Sequence, residues 1–194
     1  MHIQLSIKNM VSRRCIQSVE NILLDLGIMV KKVALGSADI ECDNFDLVLD
    51  KLKKALIEQG FEIIQNKEFQ ILEQIKVAVL EMIYYGNNLN TIIRNSDYLS
   101  DKIGLPYGQL SKLFSELTGQ TLEKYIILVK IERVKELLTY NEMTLSEISY
   151  QMGYSSVQYL STQFKQVTGF SVSEYKALPV KTRIPLDELL KQSN

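Results

Sequence analysis

The chain contains 194 residues, of which 46% are hydrophobic, and its 22 basic and 23 acidic side chains give a formal net charge of −1 at pH 7. This length and hydrophobic content are sufficient for one large domain or two small ones with buried cores, and they exclude a disordered chain. A net charge close to zero does not indicate a nucleic-acid partner, so such a partner has to be inferred from local surfaces.

The first ten residues, MHIQLSIKNM, lack the basic and apolar regions of a secretory signal peptide. No apolar run approaches the ~18 residues that cross a bilayer. The two cysteines, Cys15 and Cys42, are too few for a disulfide framework and suit a reducing compartment. We therefore expect a soluble cytoplasmic protein with no membrane association.

The first third of the chain alternates strand and helix patterns. Hydrophobic and polar residues alternate in IQLSIK, as in a half-buried strand, and hydrophobic residues then recur at steps of three and four up to Gly27, as in a helix. VKKVAL and ADIEC, joined by a GS turn, predict a β-hairpin. A second amphipathic helix begins near Phe45, and FEIIQ predicts a last strand. This order is that of a ferredoxin-like βαββαβ domain.

From Lys67 onward the strand patterns stop. FQILEQIKVAVLEMIYY predicts a helix that ends at GNN, and short helices separated by Gly or Pro follow, with one longer helix through LEKYIILVKIERVKELL. The predicted fold class is therefore α+β. We assign residues 1–66 to the ferredoxin-like domain, 67–180 to an all-α domain, and 181–194 to a polar tail without assigned function. Because no Gly/Ser-rich linker marks the boundary, we expect a rigid junction.

One sequence segment is repeated in the all-α region. LSKLFSELTGQTLEKY at 110–125 and LSTQFKQVTGFSVSEY at 160–175 share Leu, Ser, Phe, Thr, Gly and Tyr at matching places. Each copy follows a short predicted helix and a turn that contains Gly, so each predicts a helix-turn-helix. In the second unit, Thr144 and Glu147 have capping-box spacing, and Ser155 with Gln158 is predicted to cap the second helix.

The repeated helix has one apolar and one polar face. Leu110 and Phe114, like Leu160 and Phe164, lie at i and i+4 and are predicted to face inward. The other face is polar, and positions 155–168 contain no acidic residue, so this face suits a DNA major groove. Any amphipathic helical hairpin has a polar face, however, and one copy alone would not indicate DNA reading.

The second copy with its flanks, LTLSEISYQMGYSSVQYLSTQFKQVTGFSVSEYK, resembles the C-terminal signature of the AraC/XylS transcription regulators. The first copy is similar to the upstream half of that family's DNA-binding domain, and KYIILVKIERVKELL to its linker helix. The resemblance covers roughly 69–178 and implies two helices that enter successive major grooves of double-stranded DNA, about one turn apart. The DNA-binding candidates that it implies are Gly108, Gln109, Ser111 and Lys112 in the first unit and Val157, Gln158, Tyr159, Thr162 and Lys165 in the second.

Several positions depart from the family pattern. Thr162 stands at the place of a frequent Arg, Gly108 where a larger residue is common, and Val172 where Pro is usual. Residues 96–176 contain eight basic and nine acidic side chains. We therefore expect few charge-assisted contacts to DNA, weak non-specific affinity and a shallow dependence of binding on salt.

The segment IKNMVSRRCIQSVENIL resembles the loop after the first strand of heavy-metal-associated domains, which carries an M-x-C-x-x-C motif. Met10 and Cys15 match, but Ser12 occupies the place of the first Cys. Because a soft monovalent ion needs two thiolates, we predict no cofactor and retain Met10 with Cys15 only as a degenerate metal site. In the structural alternative, Ser12 caps the helix and Cys15 is half-buried. Cys15 beside Arg13 and Arg14 at a helix start also suits a redox-sensing thiol.

These patterns predict a transcription regulator and not an enzyme, since the sequence contains no nucleophile and base set, no phosphate-binding Gly loop and no His-rich metal spacing. A small effector or metal ion on the N-terminal domain would alter its packing on the helix that begins near Glu68, and so the spacing of the DNA-reading helices. One alternative is a metal-handling or thiol-redox protein whose helical half is a protein-interaction module. Another is an anti-regulator that dimerises with a DNA-binding relative. Whether the chain forms a homodimer is left open.

Overall fold

The computed structural model describes residues 1–86 and 95–190. These residues divide into two compact units, of which the first contains Met1–Ala78 and Lys102–Pro106 and the second contains the remainder. The first unit carries a four-stranded sheet, and the second is helical. The predicted α+β class is therefore confirmed.

The N-terminal unit alternates strands and helices. Its elements are β1 (His2–Lys8), α1 (Arg13–Asp25), β2 (Met29–Ala34), β3 (Ser37–Glu41), α2 (Phe45–Glu58) and β4 (Glu62–Ile63). The strands form one sheet in the order β2-β3-β1-β4, and each neighbouring pair is antiparallel. Each helix therefore connects two strands that are separated by one strand of the sheet.

One face of the sheet forms the core of this unit. Leu5 and Ile7 on β1 are buried, and Leu5 lies opposite the buried Ala38 of β3. The two helices add their fully buried residues to this cluster: Val19, Leu23, Leu52 and Leu56. Because burial of each large side chain contributes about 1.5–3 kcal/mol, a shift of one residue in the register would be costly.

Helices α1 and α2 each end at a glycine with positive φ. Gly27 has φ 70° and donates its N–H to Leu24 O at 2.9 Å, and Ile28 donates to Leu23 O at 2.9 Å. These two bonds make a Schellman motif, and the same pair of bonds follows α2 at Gly60. The predicted C-terminal cap at Gly27 is confirmed.

Helix α3 (Lys67–Leu80) begins at the predicted boundary, although most of it belongs to the first compact unit. Glu73 is 4% exposed and accepts hydrogen bonds from the Asn9 backbone N–H at 3.1 Å and from Lys76 Nζ at 2.8 Å. Asn9 has φ 69°, and its side chain donates to Gly60 O at 2.9 Å. A buried carboxylate thus fixes the loop between β1 and α1 to α3, which the sequence did not indicate.

The helical half continues from α3 through a π-helical turn at Glu81–Tyr85. Its further elements are α4 (Asn95–Ile103), α5 (Tyr107–Thr118), α6 (Leu122–Tyr140), α7 (Leu145–Gln151), α8 (Val157–Thr168), α9 (Val172–Ala177) and a 3₁₀ turn (Leu186–Glu188). The predicted helix end at GNN includes Asn87 and Asn88, which lie outside the described residues. Among the described helices, none is long and apolar enough to span a membrane.

Two predicted N-caps differ from the structure. The cap of α8 is Ser156, not Ser155: its Oγ accepts from the Tyr159 N–H at 3.1 Å, because the helix begins one residue later than expected. Ser12 does stand at the N-cap position of α1, but its side chain makes no capping hydrogen bond. Its hydroxyl lies 3.3 Å from Cys15 Sγ instead.

Candidate nucleic-acid interface

Two helix-turn-helix units are built from α4 with α5 and from α7 with α8. The turn before each second helix contains a glycine with positive φ, Gly104 at 78° and Gly153 at 68°. A residue without Cβ adopts this conformation at little cost, which accounts for glycine in both turns. The capping box of Thr144 and Glu147 at the start of α7 is present as predicted.

The Leu, Phe and Tyr residues shared by the two copies of the repeated segment form equivalent cores. Leu110 and Leu160 are fully buried, as are the two phenylalanines that follow each by four residues. The Phe114 ring lies 5.2 Å from that of Tyr125, and the second copy repeats this with 5.4 Å between Phe164 and Tyr175. The predicted inward faces of α5 and α8 are therefore confirmed.

The shared Thr and Gly end each second helix in the same way. Thr118 Oγ1 donates to Phe114 O at 2.7 Å, and Thr168 Oγ1 donates to Phe164 O at 2.7 Å. The glycine that follows each threonine has φ of 73° or 80° and cannot continue a right-handed helix in that conformation.

The Ser or Thr two residues after each glycine begins the next helix. Thr121 Oγ accepts from the Lys124 N–H at 3.1 Å, and Ser171 Oγ accepts from the Glu174 N–H at 3.2 Å. Glu174 returns a bond to the Ser171 backbone, which completes a capping box in the second copy. The shared Leu, Phe, Thr, Gly and Tyr, and the Ser or Thr that begins the next helix, thus each have a structural role.

The outward faces carry all the predicted DNA-binding residues. Ser111 and Val157 are half-buried, and the exposed members are Gly108, Gln109, Lys112, Gln158, Tyr159, Thr162 and Lys165. The structure therefore brings the four candidates of the first unit onto α5 and the five of the second onto α8.

The outward faces of α5 and α8 differ in the charged and hydrogen-bonding groups that they expose. On α5, Lys112 Nζ lies 3.8 Å from Glu116 Oε1 in a pair so exposed that it contributes little to stability. A Cβ added to Gly108 would meet nothing within 4 Å. On α8, Thr162 Oγ1 donates to Gln158 O at 2.9 Å, so its hydroxyl presents an acceptor outward and not a donor.

A cleft of about 430 Å³ lies between the starts of α5 and α8, with α6 as its floor. Tyr107 Oη donates to Glu123 Oε1 at 2.7 Å within it, and burial together with this bond raises the pKa of Tyr107. Burial also raises the pKa of Tyr154, whose Oη donates to Gln163 Oε1 at 2.6 Å. Glu123 and Lys130 both line the cleft, so its interior carries charges of both signs.

Several of the counted charges are engaged inside the helical half. Glu132 is 2% exposed and pairs with Lys135 at 2.5 Å, and Glu136 pairs with Arg133 at 2.9 Å. Glu147 and Glu174 belong to capping boxes. The capping glutamates are exposed and keep their charge toward solvent, so of these charges only the two ion pairs are withdrawn from the surface. The expected shallow salt dependence stays a prediction.

The polar tail makes contacts that the sequence did not indicate. The Ile184 N–H donates to Glu132 Oε2 at 3.1 Å, and Arg183 lies 3.4 Å from Glu136 Oε2. Tyr175 Oη donates to Thr182 O at 3.3 Å, and Leu189 is 1% exposed. The tail is polar in composition, so hydrophobic periodicity carried no signal for this docking on α6.

The degenerate metal motif does not fit a metal ion. Met10 is fully buried within the core cluster, and the Cys15 thiol, half-buried as expected, contacts the Ser12 hydroxyl. Within residues 1–86 and 95–190, no group of three or more His, Cys, Asp or Glu side chains is arranged to hold a metal. One thiol beside a hydroxyl lacks the second thiolate that a soft ion needs.

Two helix-turn-helix units that share a long helix and expose the polar faces of their second helices have the architecture of a DNA-binding domain. Residues 99–177 match the family model described as a helix-turn-helix domain. The helical half therefore contains a helix-turn-helix domain, as the repeated segment predicted. The metal-handling alternative is not favoured.

Similar proteins are bacterial regulators. The xylose operon regulatory protein of Escherichia coli (strain K12) is 30% identical over 99 residues, which are 51% of this chain and 25% of that protein. An uncharacterised HTH-type transcriptional regulator in the cgkA 5' region of Pseudoalteromonas carrageenovora is 32% identical over 108 residues, 54% of this chain and 63% of that protein. The HTH-type transcriptional activator RhaS of Mannheimia succiniciproducens is 26% identical over 154 residues, 72% and 54% of the two chains. The chain thus spans less than two thirds of each relative.

Proposed function

We propose that this chain is a sequence-specific, DNA-binding transcription regulator of the AraC/XylS type, acts in the cytoplasm and is not an enzyme. In this proposal α5 and α8 read two successive major grooves of one operator. The observation that carries it is the pair of equivalent helix-turn-helix units, in which α8 presents an outward face without an acidic residue. Two reading helices specify a longer site than one helix does.

Each candidate side chain has a proposed role in this interface. The amides of Gln109 and Gln158 contact base edges, where Gln pairs with adenine through two hydrogen bonds. Lys112 and Lys165 contact phosphates and fix the register on the duplex. Tyr159 offers an exposed ring and hydroxyl to the groove.

We further propose that the N-terminal unit is a ferredoxin-like domain, related to heavy-metal-associated domains, that receives a signal. The antiparallel order β2-β3-β1-β4, with helices between β1 and β2 and between β3 and β4, supports this assignment. A small effector is the favoured signal over a metal ion, because the Met10 and Cys15 pair lacks a second thiolate.

The signal is proposed to reach the DNA-binding domain through α3. The buried Glu73 ties the β1–α1 loop to this helix, so a ligand that moves the loop would also displace α3. The test is the operator affinity of Glu73→Gln, with the exposed Glu62→Gln as matched control. An affinity equal to wild type would remove support for this route.

The experiment that tests the DNA-binding function is selection of bound duplexes from a random library at moderate salt. We expect enrichment of a bipartite site whose halves lie about ten base pairs apart. Gln158→Ala with Lys112→Ala is the control and should lose the enrichment. A folded wild-type chain that enriches no sequence would contradict the proposal. Sedimentation of the free chain and of its operator complex then decides between a monomer and a homodimer.

A further inference from the structure

Lys130 is a basic residue of the DNA-binding domain that is directed into the protein. Its Nζ donates to the Met152 carbonyl at 3.0 Å and lies 5.5 Å from the centre of the Tyr154 ring. Burial lowers the pKa of this lysine. Lys130 therefore contacts the turn between α7 and α8, and its ammonium is engaged there before any DNA is bound.

The turn that Lys130 contacts is the C-terminal end of α7. Gly153 donates to Tyr150 O at 3.0 Å and Tyr154 donates to Ser149 O at 3.0 Å, which are the two bonds of a Schellman motif. The Met152 carbonyl belongs to the helix end, where carbonyls lack intrahelical donors and a positive charge is favoured. A Cβ on Gly153 would lie 4.0 Å from Lys130 Nζ, which places the ammonium directly against the turn.

Tyr154 connects this turn to the proposed reading helix. Its Oη donates to Gln163 Oε1 at 2.6 Å, and its ring meets the edge of the Tyr159 ring at 5.8 Å with an interplanar angle of 62°. Both partners lie on α8, and Tyr159 follows Gln158 directly. The contacts from Lys130 thus continue through Tyr154 to the start of α8, where base readers are proposed.

We propose that Lys130 is a positioning residue for DNA reading: it fixes the α7–α8 turn to α6 and so sets the orientation of α8. This inference rests on the proposed function of α8 as a reading helix. In the first helix-turn-helix, the hydrogen bond from Tyr107 to Glu123 joins the start of α5 to α6. Each reading helix is then oriented on α6 by its own polar contact.

The first test measures amide exchange in the free full chain and needs no DNA. Lys130→Met removes the ammonium but retains the chain length, and Lys124→Met on the same helix removes an equal charge from an exposed position. Lys130→Met should accelerate exchange about tenfold or more in the α7–α8 turn and the first turn of α8, with α5 unchanged. Lys130→Arg should restore protection, since a guanidinium also donates to a carbonyl and packs on an aromatic ring.

The second test uses the site that wild type selects, with one half scrambled at a time. The half read by α8 is the half whose scrambling no longer matters in Gln158→Ala. Lys130→Met should bind the full site about 10- to 100-fold more weakly, as expected for a lost charge-assisted hydrogen bond. In Lys130→Met, scrambling the half read by α8 should then lower the affinity little further. Scrambling the half read by α5 should lower the affinity by the same factor as in wild type.

The outcomes separate the inference from the proposed function. Unchanged exchange in Lys130→Met, or equal loss at both halves, overturns the positioning role even if the wild type binds an operator. Faster exchange confined to the α7–α8 turn and the start of α8 supports the placement of α8 by Lys130, and if no operator is selected it is the proposed function that fails. Faster exchange with unchanged penalties at both halves would also overturn it, because the turn would then not govern reading.

Discussion

The two copies of the repeated segment have equivalent buried cores but different outward faces. Phe114 with Tyr125 and Phe164 with Tyr175 form ring pairs whose separations differ by little, 5.2 and 5.4 Å. The outward faces share no such geometry: α5 carries the exposed Gly108 and an ion pair, whereas α8 has no acidic residue. The shared Leu, Phe, Thr, Gly and Tyr residues therefore serve packing and helix ends. All the DNA-binding candidates except Ser111 stand at positions that differ between the two copies.

The largest expected effect tests the equivalence of the two interiors. Phe114→Ala and Phe164→Ala each remove a fully buried ring and should lower the free energy of unfolding by about 3–5 kcal/mol. Urea denaturation followed by circular dichroism measures both, and Phe170→Ala, at a 43% exposed position, is the control with a small loss. If the losses in free energy of unfolding for Phe114→Ala and Phe164→Ala differ by several kcal/mol, the two cores are not energetically equivalent.

The tail contacts the second copy through Tyr175, whose Oη donates to Thr182 O at 3.3 Å. Its anchor is Glu132, which is buried, pairs with Lys135 and accepts from the Ile184 N–H. Glu132→Gln should cost about 3 kcal/mol, because it leaves the ammonium buried without a carboxylate. The exposed Glu142→Gln should change the free energy of unfolding by less than about 0.5 kcal/mol.

The double variant Glu132→Gln with Lys135→Met sharpens this test. It removes both buried charges and should recover much of the loss, since the main cost of breaking a buried pair lies in the partner that remains. A double variant that is less stable than Glu132→Gln alone would mean that Lys135 contributes through other contacts.

The fold was largely predictable because its signals are local. Alternation in IQLSIK, the step of three and four before Gly27, and the capping box at Thr144 each need only a few neighbouring residues, and all correspond to elements of the structure. The predicted cap of α8 was wrong by one residue, since the adjacent Ser155 and Ser156 give the same local signal.

The long-range polar contacts were not predictable from the sequence. Glu73 with Asn9 and Lys130 with Met152 join residues that are 64 and 22 positions apart, and no periodicity marks such pairs. The candidate reading residues were located by resemblance, and their exposure on α5 and α8 is consistent with that role. Their contacts with bases stay a prediction, because exposure does not reveal a partner.

The next effect concerns the caps that follow each copy. Thr121→Ala and Ser171→Ala should each cost about 1 kcal/mol through the loss of the N-cap hydrogen bond. Lys124→Glu would place a carboxylate at the third helical position, as Glu174 does in the second copy, and should gain about 0.3–1 kcal/mol. Thermal unfolding measures all three. A destabilised Lys124→Glu would show that this lysine makes a contact worth more than the capping box.

A smaller gain is expected on the outward face of α5. Gly108 lies in the first turn of this helix, and a Cβ there meets nothing within 4 Å, so Gly108→Ala should stabilise the protein by about 0.5–1 kcal/mol. Gly104→Ala, in the turn of the same unit at φ 78°, is the matched control and should destabilise it. A loss in both variants would indicate that the start of α5 requires glycine for its own conformation.

The smallest expected effect is a pH dependence of the free energy of unfolding that comes from two capping glutamates of the second helix-turn-helix and its flank. Hydrogen bonds from Thr144 and Ser171 hold the pKa of Glu147 and Glu174 below the ordinary value of 4.5. A depressed carboxyl pKa contributes stability that is fully present above 4.5 and is lost as the pH falls through the folded value. Glu147→Gln with Glu174→Gln keeps neutral capping groups, so wild type should be more stable than this variant at pH 7, and the difference should shrink by pH 3. Urea denaturation at both pH values measures the difference. If it persists at pH 3, the two glutamates act through packing and not through their charge.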